Sequence, residues 1–148
     1  MSTINSTSLA DMTIRMLERT AMVLAEPAPG HDDSPAPTRF ARIHYRGPSQ
    51  GTILLAGTDG FCRELAASLL GVEPDEINLD REGLDALKEM ANIVGGSVIL
   101  ALSAGQCAFT LGLPETMPAP ESLPNAPGAD CTIVTECGAL RVHWRQAA

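Results

Sequence analysis

Residues 39–57 read as two strands folded back on each other, and this constrains the fold more than any other feature of the chain. In RFARIHYRG, Phe40, Arg42, His44 and Arg46 fall on one side and Ala41, Ile43 and Tyr45 on the other. That is the two-residue period of a strand with one buried face. Gly47-Pro48-Ser49-Gln50-Gly51 supplies a turn, and GTILLAGT returns as a second strand. The pair is therefore an antiparallel hairpin, a connection too short for a helical crossover.

The flanking segments have helical spacing. From Ser8 to Ala25, Ile14, Leu17, Ala21 and Leu24, with Met16 and Val23 beside them, predict a helix that stops at Pro27. EPAPGHDDSPAPT is a surface loop. Thr58 and Asp59 can cap a second helix with Phe61, Leu65 and Leu69 on one face, ending at Gly71. GVEPDEINLD connects onward with one short turn after Pro74, and Asn78 or Asp80 caps a third helix reaching about Ser103. Three strand candidates follow, QCAFTLGL, DCTIVTEC and ALRVHWR, the last two joined tightly around Gly138. Between the first two lies PETMPAPESLPNAPGAD, long for a compact domain, which reads either as an exposed excursion or as a flap touching a partner. This order predicts one α+β domain over residues 1–148, with helices packed on a mostly antiparallel sheet.

Composition removes several function classes. A net charge of −8 disfavours nucleic acid and anionic membranes, which select for excess Lys and Arg. No run approaches about 18–20 apolar residues, and the N-terminus has no basic start followed by an apolar block. A cytoplasmic protein with neither a membrane nor a nucleic-acid partner is expected. Cys62, Cys107, Cys131 and Cys137 form no C-x-x-C pair and read as reduced, mostly buried small hydrophobes. His31, His44 and His143 have neither helical pairing nor a nearby Cys or acid cluster, so no metal site is expected. Trp144 alternates with Val142 and Leu140 and belongs to the core, while AGTDG lacks the lysine and spacing of a phosphate loop.

The third helix carries an anomaly. In DALKEMANIVGG, Asp85, Glu89, Asn92 and Gly96 share a narrow sector, while Leu87, Met90, Ala91, Val94 and Val98 lie opposite. Any amphipathic helix has a solvated face. Yet two like charges at i,i+4 weaken a helix by about 0.2–0.5 kcal/mol, and Gly95 and Gly96 each cost about 1 kcal/mol against alanine. Glycine on an exposed face makes sense where another backbone or a bulky loop must approach closely.

The pattern Asp85, Ala86, Glu89, Asn92 and Gly96, with Pro114 downstream, resembles the signature of the CheC/CheX/FliY family of chemotaxis phosphatases. The interval from Ile93 to Leu113 is one residue short of the family's. The element order is similar from about residue 8 to 145. The resemblance implies a CheC-like fold, a degenerate duplication of a helix-plus-strands unit, and hydrolysis of the aspartyl phosphate on a CheY-like response regulator. Asn92 would orient the attacking water, and Glu89 would pair with a lysine of the regulator. Asp85, Gly95 and Gly96 would face the partner. No cofactor is implied in this chain, Mg2+ belonging to the regulator, and likeness to the CheX type implies a homodimer. A non-catalytic module that binds a receiver domain or a flagellar or signalling partner would also use Glu89 and Gly96. Asn92 separates the two, being superfluous for docking and needed for water placement.

Family members with two sites repeat the motif on the first helix. Aligning Asp11 with Asp85 places Arg15 at the Glu89 position, Glu18 at the Asn92 position and Met22 at the Gly96 position. An arginine would repel a partner lysine, and an ionised glutamate donates no hydrogen bond. One site per chain is expected.

Overall fold

In the computed structural model, which describes residues 4–30, 33–103 and 108–147, three helices cover one face of a seven-stranded antiparallel sheet. The helices are α1 (Ser6–Ala21), α2 (Asp59–Leu70) and α3 (Leu84–Ser103). The strands are β1 (Ala25–Pro27), β2 (Arg39–Arg46), β3 (Gly51–Gly57), β4 (Thr110–Leu111), β5 (Glu115–Met117), β6 (Gly128–Thr135) and β7 (Ala139–Gln146). Their order is β1-β6-β7-β3-β2-β4, with β5 also pairing with β2.

The hairpin forms as its alternation requires. Ala41, Ile43 and Tyr45 are buried under the helices together with Ile53 and Leu55 of β3 and Leu140, Val142 and Trp144 of β7. Trp144 is anchored within this layer, its Nε1–H donating to the Tyr45 hydroxyl at 2.9 Å.

Caps set most helix limits. The Asn5 side chain caps α1 by accepting from the Ser8 amide at 2.9 Å, and the Ser8 hydroxyl in turn accepts from the Asn5 amide. Thr58 accepts from the amides of Phe61 and Ala139, so one buried hydroxyl starts α2 and ties it to β7. Gly71, with φ at +70°, ends α2 in a left-handed turn.

Several expectations need correction. α1 ends at Ala21 rather than Ala25, because Met22 turns left-handed (φ 55°). Leu24, expected in its apolar face, is exposed, and the next three residues become β1, paired with β6. A strand with only three residues has too little alternation to be read from sequence. The third strand candidate shrinks to β4, with its first residues, Cys107 among them, outside the described set, as is His31. The edges available for pairing are β1 on one side and β4 with β5 on the other, since the C-terminal strands lie inside the sheet. The helical segment Leu79–Ser103 is long and apolar enough to cross a membrane, contrary to the sequence reading, but Leu87, Met90, Ala91, Val94 and Val98 are buried in the domain core.

Candidate functional site

The candidate site is built on α3, whose start is fixed before the helix proper. Asn78 accepts from the Asp80 amide at 2.9 Å, and the chain makes one π-helical turn over Leu79–Gly83 before settling into α3. From there Ala86, Leu87, Met90, Ala91, Val94 and Val98 are all buried. The helix is thereby held on its apolar side against β2, β3 and the other two helices. The opposite stripe faces solvent, with Asp85, Glu89 and Asn92 exposed.

The two glycines have different jobs. A Cβ at Gly95 would stand 3.0 Å from Ile43 Cγ2 and 3.1 Å from Leu111 Cδ1. Gly95 is buried, and its bareness lets α3 settle closely on β2 and β4; the expectation that it faces a partner is corrected. At 100° per residue it lies off the stripe and on the core side. A Cβ at Gly96 would meet nothing within 4 Å. Nothing among the described residues requires glycine there, although the helix loses about 1 kcal/mol by having it.

Asp85 pairs weakly with Lys88 one turn along, Oδ1 to Nζ at 3.7 Å. Among the described residues, Glu89 and Asn92 have neither a hydrogen-bond nor an ion-pair partner. A carboxylate and a carboxamide three residues apart thus stand free on one face of a rigid helix. The carboxylate can accept from a cation, and the amide can accept and donate at once. Past Gly96 the face turns apolar. Gly96, Ile99, Leu100, Ser103 and Phe109 line a shallow hollow of about 210 Å³. Leu100 is 61% exposed beside it. Spacing along the chain does not reveal this hollow, because Phe109 reaches α3 only through the path of the chain into β4.

The first helix offers no equivalent. Asp11, Arg15 and Glu18 are exposed on α1, but Arg15 and Glu18 are of the wrong kind, and Met22 projects outward where Gly96 leaves space. Cys62, Cys131 and Cys137 are free thiols. Burial pushes the thiols of Cys62 and Cys131 up to about 12, which removes them as nucleophiles. Cys137 is exposed, in the β6–β7 turn, contrary to the expectation of a buried residue. Among the described residues no three His, Cys, Asp or Glu side chains are grouped to hold a metal ion.

The family model described as chemotaxis phosphatase CheX matches residues 39–136. No curated protein sequence matches significantly. Among solved structures, a chemotaxis protein CheX from Desulfovibrio desulfuricans superposes with a TM-score of 0.74 at 18% identity, covering 96% of this chain and 98% of that one. Chemotaxis protein CheX from Vibrio vulnificus gives 0.74 at 15% identity over 94% and 93%. A CheX–CheY–BeF3–Mg2+ complex from Borrelia burgdorferi gives 0.66 at 14% identity over 99% and 100%. At these identities the structural likeness is one of fold.

Proposed function

We propose a function from the premise that this chain belongs to the CheX family of chemotaxis phosphatases: it hydrolyses the aspartyl phosphate of a CheY-like response regulator. The observation that carries the reading to particular atoms is the stripe of Glu89 and Asn92, exposed and with side chains free of intramolecular partners, with open space above Gly96.

Phosphoryl transfer passes through a loose transition state, so a protein catalyst contributes mostly by placing the attacking water in line and balancing charge. The Asn92 carboxamide would accept a hydrogen bond from that water while its NH₂ donates to a phosphoryl oxygen. Water attacks phosphorus, the bond to the aspartyl oxygen breaks, and inorganic phosphate leaves. Glu89 would pair with a lysine of the regulator and set the register of α3 over the acyl phosphate. Gly96 supplies clearance, and the apolar hollow beside Leu100 extends the docking face. Mg2+ would sit on the regulator, as it accompanies CheY in the Borrelia complex. Asp85, paired with Lys88, stands at the margin.

One domain spanning 1–148, a cytoplasmic location, a role in two-component signalling and a homodimer complete the reading. The unpaired edges of β1 and of β4 with β5 are where a second copy could add strands.

Asn92→Ala tests the proposal. The variant should keep its circular dichroism spectrum and slow regulator dephosphorylation about 100-fold, the scale of losing one well-placed polar group. If the wild-type protein fails to hasten phosphate loss from any receiver domain of its host, the reading fails.

A further inference from the structure

The proline-rich segment encloses a cavity on the side of the sheet away from the helices. Over residues 114–126 burial recurs every third residue: Pro114, Met117, Pro120, Leu123 and Ala126 are half-buried and those between them are exposed. Beyond β5 this three-residue period is that of a polyproline II strand, which the prolines at 118, 120 and 124 favour. This strap crosses the outer face of β2, β3 and β7 and leaves beneath it a trough of about 420 Å³. Binding sites for small molecules commonly measure about 300–1,000 Å³.

The floor is built in two rows fixed by strand register. Arg42, Leu54 and His143 lie across from one another, and so do His44, Thr52 and Arg145. Each row has an apolar or hydroxyl centre and basic ends. Met117, Pro120, Leu123 and Ala126 of the strap supply apolar walls. Among the described residues no acid lines the trough, although the chain carries a net charge of −8.

Two acids stand beside it and pair with both of its arginines. Glu115 takes Arg42 Nε at 2.5 Å, and that contact holds its carboxyl below the usual range. Asp130 takes Arg145 through both terminal nitrogens and His143 Nδ1 at 2.6 Å. Arg145 also donates to the Pro124 carbonyl at 3.3 Å, tying the strap to the sheet, so it is structural. What remains as donors with no partner among the described residues is the pair of terminal nitrogens of Arg42, with His44 beside them; His143, whose Nδ1–H is given to Asp130, presents an acceptor at Nε2. His44 Nε2 lies 3.6 Å from Glu115 Oε1, a long contact with the same carboxylate that Arg42 engages. With Nδ1 at 2.8 Å from the Thr52 hydroxyl, we assign the Nε2 tautomer, which makes Nε2 the donor.

We propose that the trough binds a small organic anion: one carboxylate or comparable headgroup held by Arg42 and His44, on a short apolar body lying over Leu54 between Met117 and Leu123. The site is independent of the Glu89–Asn92 stripe. α3 meets β2 through Ile43 on one side of the strand, while Arg42 and His44 project from the other. The prolines limit the strap's freedom before binding, so little ordering cost remains to be met.

Octanoate is the probe, titrated calorimetrically into the full chain, with octanol and inorganic phosphate as controls. Octanoate should bind at one site per chain and at least tenfold more tightly than either control. Ala126→Trp, which fills the trough from the strap without altering the sheet, and His44→Leu, which removes the headgroup donor, should each weaken octanoate at least fivefold with unchanged thermal unfolding. Equal binding of octanol would refute the anionic requirement, and equal binding of phosphate would refute the apolar body. An octanoate isotherm unchanged in both variants, or no octanoate binding by the wild type, would overturn the site.

Discussion

Replacing Gly96 by alanine should make the protein more stable and a poorer phosphatase, and the structure gives the size of the first effect. Alanine is favoured over glycine in a helix interior by about 0.8–1 kcal/mol, and the added methyl meets nothing within 4 Å. The full gain should therefore appear, about 1 kcal/mol, or a rise in Tm of roughly 2–4 °C for a chain of this size. Gly95→Ala, one residue away, receives the same propensity gain but places its methyl 3.0 Å from Ile43 Cγ2 and 3.1 Å from Leu111 Cδ1. Overpacking of that kind costs about 1–3 kcal/mol, so the variant should be neutral to about 2 kcal/mol less stable. Chemical denaturation of both variants measures the stability pair. Phosphate release from a phosphorylated regulator measures the activity, with Gly96→Leu added as a bulkier obstruction. The expected pattern is a stabilised Gly96→Ala with reduced kcat/KM and a Gly96→Leu with almost none. If Gly96→Leu folds and retains wild-type kcat/KM, no partner approaches α3 at that point and the clearance argument is wrong.

Other perturbations test the frame around the site. Tyr45→Phe removes the buried acceptor of Trp144 Nε1, and urea denaturation should show a loss of about 1–3 kcal/mol. Burial alone would raise the Asp130 carboxyl, but hydrogen bonds from Arg145 and His143 outweigh it and hold the group below its ordinary value. The folded state therefore retains the carboxylate better than the unfolded chain. The stabilisation is complete above the unfolded value near 3.9 and drains away as pH falls through the lower folded value. With Asp130 half exposed, Asp130→Asn should cost no more than about 1 kcal/mol at pH 7, and the gap to wild type should close in acid. Alkylation of the native protein should label Cys137 before Cys62, read by peptide mass spectrometry, because Cys62 is fully buried with its thiol raised to about 12.

Periodicity and caps were legible in the sequence because they depend on neighbours along the chain. The alternation of β2, the Thr58 cap, the turn after Pro74, the Asn78 start of the third helix and the solvent-facing stripe of Asp85, Glu89 and Asn92 all come from spacing alone. Tertiary structure decided what spacing leaves open. Gly95 and Gly96 are identical letters, and only the position of β2 and Leu111 makes one a packing residue and the other bare surface. β1 exists because β6 offers it a partner, not because three residues prefer to be extended. The proline-rich strap shows its three-residue burial period only when laid over the sheet, since an element without internal hydrogen bonds takes its inward side from what it lies against.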